Sequence, residues 1–162
     1  MSALSRRAAG AYALALAVIL LDQGVKHWIV GGLGLTPGSS LPVWGPMRLT
    51  LVANNGISYG FLQSSAAWMR WALAGFSVLV TIALAIWALR ADKALTALAI
   101  GLIMGGAVGN LIDRVARGAV VDFVDITSLR FPWVFNVADS AITVGIIVLL
   151  VENLLAPRQP DA

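Results

Sequence analysis

Residues 71–112 read WALAGFSVLVTIALAIWALRADKALTALAIGLIMGGAVGNLI, and the architecture can be worked out from this stretch. Its apolar runs, 71–89 and 94–112, are each long enough to cross a bilayer, which takes about 20 mostly apolar residues in a helix. Only Arg90 and the tripeptide Ala91-Asp92-Lys93 separate the two runs. Such a short connection predicts two antiparallel helices that form a membrane hairpin.

Two further stretches, 8–30 and 134–151, are of similar length and are apolar apart from Asp22, Lys26 and Asp139. Of the 162 residues, 59% are hydrophobic and 12% are charged, whereas soluble domains are about 25% charged. These values exclude an ordinary soluble domain and a disordered chain. The sequence has no internal repeat, which argues against a solenoid. The predicted fold is a single membrane domain, residues 1–162, built as an all-α bundle of four transmembrane helices.

The region between the first two spans, residues 31–70, is predicted to lie outside the lipid. Residues 31–46 are rich in Pro and Gly and are predicted to form a loop, whereas 47–62 alternate polar and apolar residues like a strand. We therefore expect a small extracytoplasmic β element. Residues 62–70 are predicted to form a short interfacial helix, and the tail 156–162 to be disordered.

Four spans place both termini on the same side of the membrane. That side carries Arg6, Arg7, Arg90, Lys93 and Arg158 in tails and a short turn next to helix ends. The positive-inside rule makes this side cytoplasmic and the 31–70 region external.

The chain has no cysteine and a single histidine, His27. Disulfides, thiolate nucleophiles and cysteine or multi-histidine metal sites are therefore excluded, and we expect neither a metal nor a cofactor. The basic residues are scattered and form no patch, so nucleic acid is not an expected partner. Glycines in the third span, at 101, 105, 106 and 109, predict close packing against other helices.

Four of the eight acidic residues, Asp22, Asp113, Asp122 and Asp139, fall near the proposed outer ends of the spans. Ionisable groups at a bilayer are costly unless they are paired or functional, so the cluster is a candidate site. Structural explanations exist for some of the acids. Asp22 and Lys26 have the spacing of a helical ion pair, and Asn136 with Asp139 has the spacing of a helix cap. The carbonyl groups at the end of the third helix could be satisfied by Asn110, Asp113 and Arg114.

Asp122 is the least easily explained acid because it interrupts the apolar segment AVVDFV, residues 119–124. If Asp122 meets Asp139, the two carboxyl groups would share one proton, as in an aspartic protease. The ionised group would then activate a water molecule, and the protonated group would polarise the scissile carbonyl. The positive end of the fourth helix would favour ionised Asp139, which leaves the shared proton on Asp122.

Five segments in this order resemble the lipoprotein signal peptidase (signal peptidase II) family, an aspartic peptidase family. They are Asp22-Gln23-x-x-Lys26, Asn54-x-Gly56, the GGAVGNLIDR run at 105–114, Gly118-x-Val120-Val121-Asp122-Phe123 and the FNVADS run at 135–140. The resemblance extends from Asp22 to Val151. It implies a four-helix aspartic endopeptidase of the bacterial inner membrane, with cytoplasmic termini and an active site towards the outer face.

By this resemblance the catalytic dyad corresponds to Asp122 and Asp139. The matching substrate-binding or supporting positions are Asp22, Lys26, Asn54, Gly56, Gly106, Asn110, Asp113, Arg114, Val120, Asn136 and Ala138. The implied substrates are prolipoproteins, cleaved before a diacylglyceryl-modified cysteine in contact with membrane lipids. A globomycin-type inhibitor and a monomeric state are expected.

Two other classes of protein remain as alternatives. A small transporter would need acids distributed through the membrane depth, yet the runs 71–89 and 94–112 contain none. An assembly subunit would use the glycines to bind partner helices and would tolerate Asn at Asp122 and Asp139. The resemblance favours the peptidase.

Overall fold

The computed structural model describes residues 5–56 and 67–155, which form four long helices and a small sheet. The helices are α1 (Arg6–His27), α2 (Ala67–Ala88), α3 (Ala94–Ala116) and α4 (Val137–Leu155). A π-helical turn, Trp28–Gly32, extends α1. All four helices are long and apolar enough to span a membrane, which confirms the predicted four-helix bundle.

The central helix of the bundle is α3, which packs against the other three helices. Its close contacts use glycines: a Cβ on Gly105 would lie 2.8 Å from the carbonyl oxygen of Ala15 in α1. A Cβ on Gly145 of α4 would likewise lie 2.9 Å from the carbonyl oxygen of Ala99 in α3. The predicted role of the glycines in packing is therefore confirmed, and backbones approach closely where side chains are missing. Large apolar side chains on α2 and α4 are left on the outside of the bundle, as expected for surfaces that face lipid.

The sheet contains four antiparallel strands in the order β1 (Ser40–Trp44), β2 (Met47–Asn54), β3 (Val120–Asp125) and β4 (Val134–Phe135). Because β1 and β2 join α1 to α2, and β3 and β4 join α3 to α4, the sheet lies at one end of the bundle. Its register places Asn54 beside Val120 and Val52 beside Asp122.

One face of the sheet is apolar and packs on the end of α1. Leu49, Leu51, Val121 and Phe123 form a buried cluster with Ile29 of the π-helical turn. Side chains alternate between the two faces of a strand, so Asp122 projects from the opposite face. The β-branched and aromatic residues of 120–124 favour a strand, although no strand was predicted for this segment.

The structure corrects several predicted boundaries. The predicted loop 31–46 contains β1, which is an edge strand. Proline has no N–H to donate to a ladder, and an edge strand tolerates this at Pro42. The fourth predicted span, 134–151, begins three residues too early, since Val134 and Phe135 pair with β3 before α4 starts at Val137.

Other predicted elements also differ at their ends. The third span continues to Ala116, four residues beyond its predicted end. Of the predicted interfacial helix 62–70, residues 67–70 are the first turn of α2, and 62–66 lie outside the described residues. The predicted disordered tail, 156–162, also lies outside them.

Candidate active site

Asp122 lies in the middle of β3 and is buried, with 1% of its surface exposed. Its two carboxyl oxygens accept hydrogen bonds from two asparagine side chains. Asn54 Nδ2 donates to Oδ2 at 2.8 Å, and Asn136 Nδ2 donates to Oδ1 at 2.6 Å. Amide donors therefore replace the water that an exposed carboxyl group would bind.

Asp139 is the third residue of α4 and is also buried. Asn136 stands immediately before the helix, and its Oδ1 accepts the backbone N–H of Asp139 at 2.8 Å. This bond confirms the cap that the spacing predicted. On the opposite side, Asn110 Nδ2 of α3 donates to Asp139 Oδ1 at 2.9 Å.

Asn136 brings the two aspartates into one site. Its side-chain oxygen holds the backbone of Asp139, so its NH₂ group must point the other way, towards Asp122. The same NH₂ group lies 3.2 Å from Asn110 Oδ1 and 3.3 Å from the carbonyl oxygen of Val121. The start of α4, strand β3 and the central helix α3 thus meet at the side-chain amide of Asn136.

The pKa of Asp122 is raised from 3.8 to about 7. Burial is the largest cause, and the negative charge of nearby Asp139 is the second. The hydrogen bonds from Asn54 and Asn136 and the charge of Lys26 act in the opposite direction, because they stabilise the carboxylate. Asp122 is consequently able to hold a proton near neutral pH.

A buried ion cluster supports the two aspartates. Lys26 Nζ lies 2.8 Å from Asp22 Oδ2 and 2.7 Å from Asp113 Oδ2, and none of the three side chains is exposed. The predicted pair of Asp22 and Lys26 is confirmed, and Asp113 joins it from α3. Burying this cluster is costly unless the charges stay paired, so each member depends on the others.

Both acids of this cluster also hold backbone next to the dyad. Asp22 Oδ1 accepts the N–H of Ala138, which directly precedes Asp139, at 3.0 Å. Asp113 Oδ2 accepts the N–H of Val121, which directly precedes Asp122, at 3.1 Å. The cluster therefore anchors the chain beside each candidate catalytic residue.

The remaining predicted site residues provide close packing around this core. A Cβ on Gly106 would lie 2.4 Å from the carbonyl oxygen of Ala138, so only glycine allows α3 and α4 to approach this closely. Val120 is buried beside Asn54 in the β2–β3 ladder. Arg114 Nη2 donates to the carbonyl oxygen of Gly56 at 2.9 Å and thereby holds the end of β2 against α3.

The idea that Asn110, Asp113 and Arg114 only satisfy a helix end is not supported, because α3 continues to Ala116. The side chains of Asn110 and Asp113 contact other elements. Arg114 also approaches the carbonyl oxygen of Asn110, at 3.4 Å, but its shorter bond is the one to Gly56.

Two residues of the site were missed by the sequence analysis. Gln23 Nε2 lies within hydrogen-bonding distance of Asp22 Oδ2 and Asp113 Oδ1, at 3.1 and 3.2 Å. Arg117 Nη1 contacts Asp113 Oδ1 and lies 3.3 Å from Gln23 Oε1. A signal for Arg117 was present, since it follows Asp113 by four residues, the spacing that identified Asp22 and Lys26.

A cavity of about 310 Å³ opens beside the site, between α2, α3 and α4. Most of its lining is apolar, including Phe76, Ile103 and Ile142. Asn110 and Arg114 provide its polar groups nearest the aspartates. In residues 5–56 and 67–155, no group of three or more His, Asp or Glu side chains is arranged to hold a metal ion.

Comparison with known proteins agrees with this geometry. The Peptidase_A8 family model, described as signal peptidase (SPase) II, matches residues 14–155. The chain belongs to the signal peptidase II family. A lipoprotein signal peptidase from Caulobacter vibrioides is 55% identical over 147 residues, covering 90% of this chain and 87% of that protein. One from Cupriavidus taiwanensis is 45% identical over 150 residues, covering 91% and 84%.

A solved structure supports the fold of this family member. It is described as a bacterial membrane enzyme, determined by the in meso method at 2.3 Å resolution, and it superposes with a TM-score of 0.79 at 27% identity. The match covers 94% of this chain and 95% of that chain. With its four apolar helices, this signal peptidase II family member is a multi-pass membrane protein with peptidase activity.

Proposed function

We propose that this protein is an aspartic endopeptidase that removes signal peptides from prolipoproteins, with Asp122 and Asp139 as its catalytic dyad. The observation that supports this most directly is the position of Asn136, which binds the side chain of one aspartate and the backbone of the other. Membership of the signal peptidase II family indicates cleavage of signal peptides, and two buried carboxyl groups in one site are suited to hydrolysing a peptide bond. A transporter or an assembly subunit is not favoured.

In this mechanism the two carboxyl groups share one proton. The raised pKa of Asp122 gives that proton to Asp122, which donates a hydrogen bond to the scissile carbonyl oxygen. Asp139, ionised at the N-terminal end of α4, takes a proton from water as the water oxygen attacks the carbonyl carbon. The tetrahedral intermediate then loses the amine, which receives the proton held by Asp139, and the new carboxyl group leaves with the signal peptide.

The cleaved bond precedes a diacylglyceryl-modified cysteine in this proposal. Acyl chains held in the bilayer would keep the cysteine at a constant depth, and orientation of this kind lowers the barrier of the chemical step. The apolar cavity between α2, α3 and α4 supports the idea, because it reaches from the lipid-facing helices to Asn110 beside the dyad. A globomycin-type cyclic peptide would compete for the same space and inhibit cleavage.

The proposed location is the bacterial inner membrane. Both termini would be cytoplasmic, and the dyad and sheet would face the outer side, in agreement with the basic residues next to the cytoplasmic helix ends. We further propose that residues 1–162 form one peptidase domain that acts as a monomer, without a metal or an organic cofactor.

The test is cleavage of a diacylglyceryl-modified prolipoprotein by the purified full chain in detergent, with EDTA present. Asp122→Asn and Asp139→Asn should each lower kcat by at least about 10³-fold, because neither the acid nor the base can be replaced by an amide. Asp92→Asn is the matched control, since Asp92 is exposed in the α2–α3 turn. Full activity of a folded Asp122→Asn or Asp139→Asn enzyme would contradict the proposed dyad.

A further inference from the structure

We propose that Lys26 is a positioning residue for the dyad, because the three acceptors around its ammonium group belong to three side chains that help to place the two aspartates. This inference rests on the proposed function and adds to it a residue that acts on the chemistry through its neighbours.

The ammonium group of lysine carries three N–H donors and no acceptor. Lys26 Nζ lies 2.8 Å from Asp22, 2.7 Å from Asp113 and 3.3 Å from Asn110 Oδ1. One acceptor is therefore available for each donor. The side chain is completely buried, so water does not compete for these donors.

Each of the three contacts leads to a catalytic aspartate. Asp22 holds the N–H of the residue before Asp139, and Asp113 holds the N–H of the residue before Asp122. Asn110 donates directly to the carboxyl group of Asp139. A single cation thus connects the supports of both carboxyl groups, which come from distant parts of the chain.

The contact with Asn110 also determines how that amide is oriented. Its Oδ1 is approached by two donors, Lys26 Nζ at 3.3 Å and Asn136 Nδ2 at 3.2 Å. A reversed amide would place its NH₂ group against an ammonium group and a second NH₂ group, so that donors would face donors. The NH₂ group is consequently directed at Asp139 Oδ1, where it stabilises the ionised carboxyl group.

The first measurement compares kcat and KM of Lys26→Met with wild type on the lipid-modified substrate. Loss of the hydrogen bond from Lys26 to Asn110, which orients that amide towards Asp139, predicts a fall in kcat of about 10- to 100-fold, with a much smaller change in KM. Lys93→Met is the matched control, because Lys93 is 55% exposed and pairs with Glu152 at a distance of 3.8 Å. A change confined to KM would overturn the proposal.

A double-mutant cycle separates positioning from general destabilisation. If Lys26 acts through Asn110, then Lys26→Met in an Asn110→Leu background should lower kcat by less than it does in the wild-type background. If the two losses in kcat multiply, the positioning role is wrong. Should Lys26→Met fail to fold, as judged by thermal unfolding, the cycle is run with Lys26→Arg, which keeps a cation between Asp22 and Asp113.

The pH profile of kcat/KM provides a readout that simple destabilisation would not change. Removing the charge of Lys26 should move the alkaline limb to higher pH, because that charge lowers the pKa of Asp122. The charged groups that face the dyad are Asp22 and Lys26 of α1 and Asp113 and Arg114 of α3. An alkaline limb of Lys26→Met that coincides with those of wild type and Lys93→Met would contradict the proposal.

Failure of this inference and failure of the proposed function can be distinguished. If Asp122→Asn or Asp139→Asn remains active, the dyad itself is wrong. If both are inactive and the effects of Lys26→Met and Asn110→Leu multiply, the dyad stands and only the role of Lys26 is overturned.

Discussion

Asp122 and Asp139 each receive an N–H from an asparagine whose own carbonyl oxygen is held by a donor. For Asp122, the asparagine is Asn54, whose Oδ1 accepts the backbone N–H of Gly56 at 2.8 Å. For Asp139, it is Asn110. Because each amide can adopt only one favourable orientation, the donors remain in place before substrate arrives, which is the preorganisation that catalysis requires.

The first prediction concerns Asn54 and the pH dependence of cleavage. Replacing Asn54 by Leu removes a hydrogen bond that stabilises ionised Asp122, so the pKa of Asp122 should rise above about 7. In the proposed mechanism Asp122 acts in its protonated form, so activity is expected to fall as the pH rises through that pKa. The alkaline limb of kcat/KM should therefore move up by about one pH unit, the effect of one hydrogen bond to a charged group.

The control for this change is Asn55→Leu, the exposed neighbour in the same turn. Its alkaline limb should coincide with that of wild type. A limb that moves to lower pH in Asn54→Leu would show that the amide does not stabilise the carboxylate.

At the scale of the elements, the contact of α3 with α4 determines where Asp139 sits. Gly106 faces the first turn of α4, and a Cβ there would lie 2.4 Å from the carbonyl oxygen of Ala138 and 2.7 Å from Ile142 Cγ1. Backbone cannot move aside as a flexible side chain can. The missing side chain of Gly106 therefore allows Asn110 and Asp139 to reach each other.

Gly106→Ala should consequently push the two helices apart and lower both stability and activity. Overpacking of this kind costs about 1–3 kcal/mol, which thermal unfolding in detergent would detect as a lower Tm. Gly75→Ala is the matched control in α2, because a Cβ there meets nothing within 4 Å. An unchanged Tm and cleavage rate in Gly106→Ala would contradict this account of the helix contact.

At the scale of the whole molecule, successive spans run in opposite directions, which places the sheet and the α2–α3 turn at opposite ends of the bundle. Since the chain has no cysteine, single cysteines report which end is outside. Pro37→Cys in the outer loop should react with a membrane-impermeant maleimide in cells whose outer membrane has been permeabilised. Asp92→Cys should react only after lysis, because the proposed topology places that end of the bundle, with its basic residues, in the cytoplasm.

The reverse labelling pattern would contradict the proposed topology. Equal labelling of both cysteines before lysis would point to damaged cells, which a cytoplasmic marker protein detects in the same samples.

Hydropathy and spacing alone were enough to predict the four spans, the hairpin of α2 and α3 and the ion pair of Asp22 with Lys26. These features are local: a bilayer imposes a minimum apolar length, and a helix places residues four apart side by side. The position of Asp122 in an apolar segment suggested a dyad with Asp139, and the motifs that resemble signal peptidase II favoured it. Neither observation indicated how the two residues meet.

The sheet and the active-site contacts depend on residues far apart in the chain. Asn54 is 68 positions from the carboxyl group it binds, and Ala138 is 116 positions from Asp22. Strand β3 has only six residues, and its apolar positions do not alternate strictly with polar ones, so its periodicity does not identify a strand. Only the folded chain could show that Asn136 joins the two aspartates and that Lys26 connects their supports, because hydrogen bonds between distant segments form after the helices and sheet have packed.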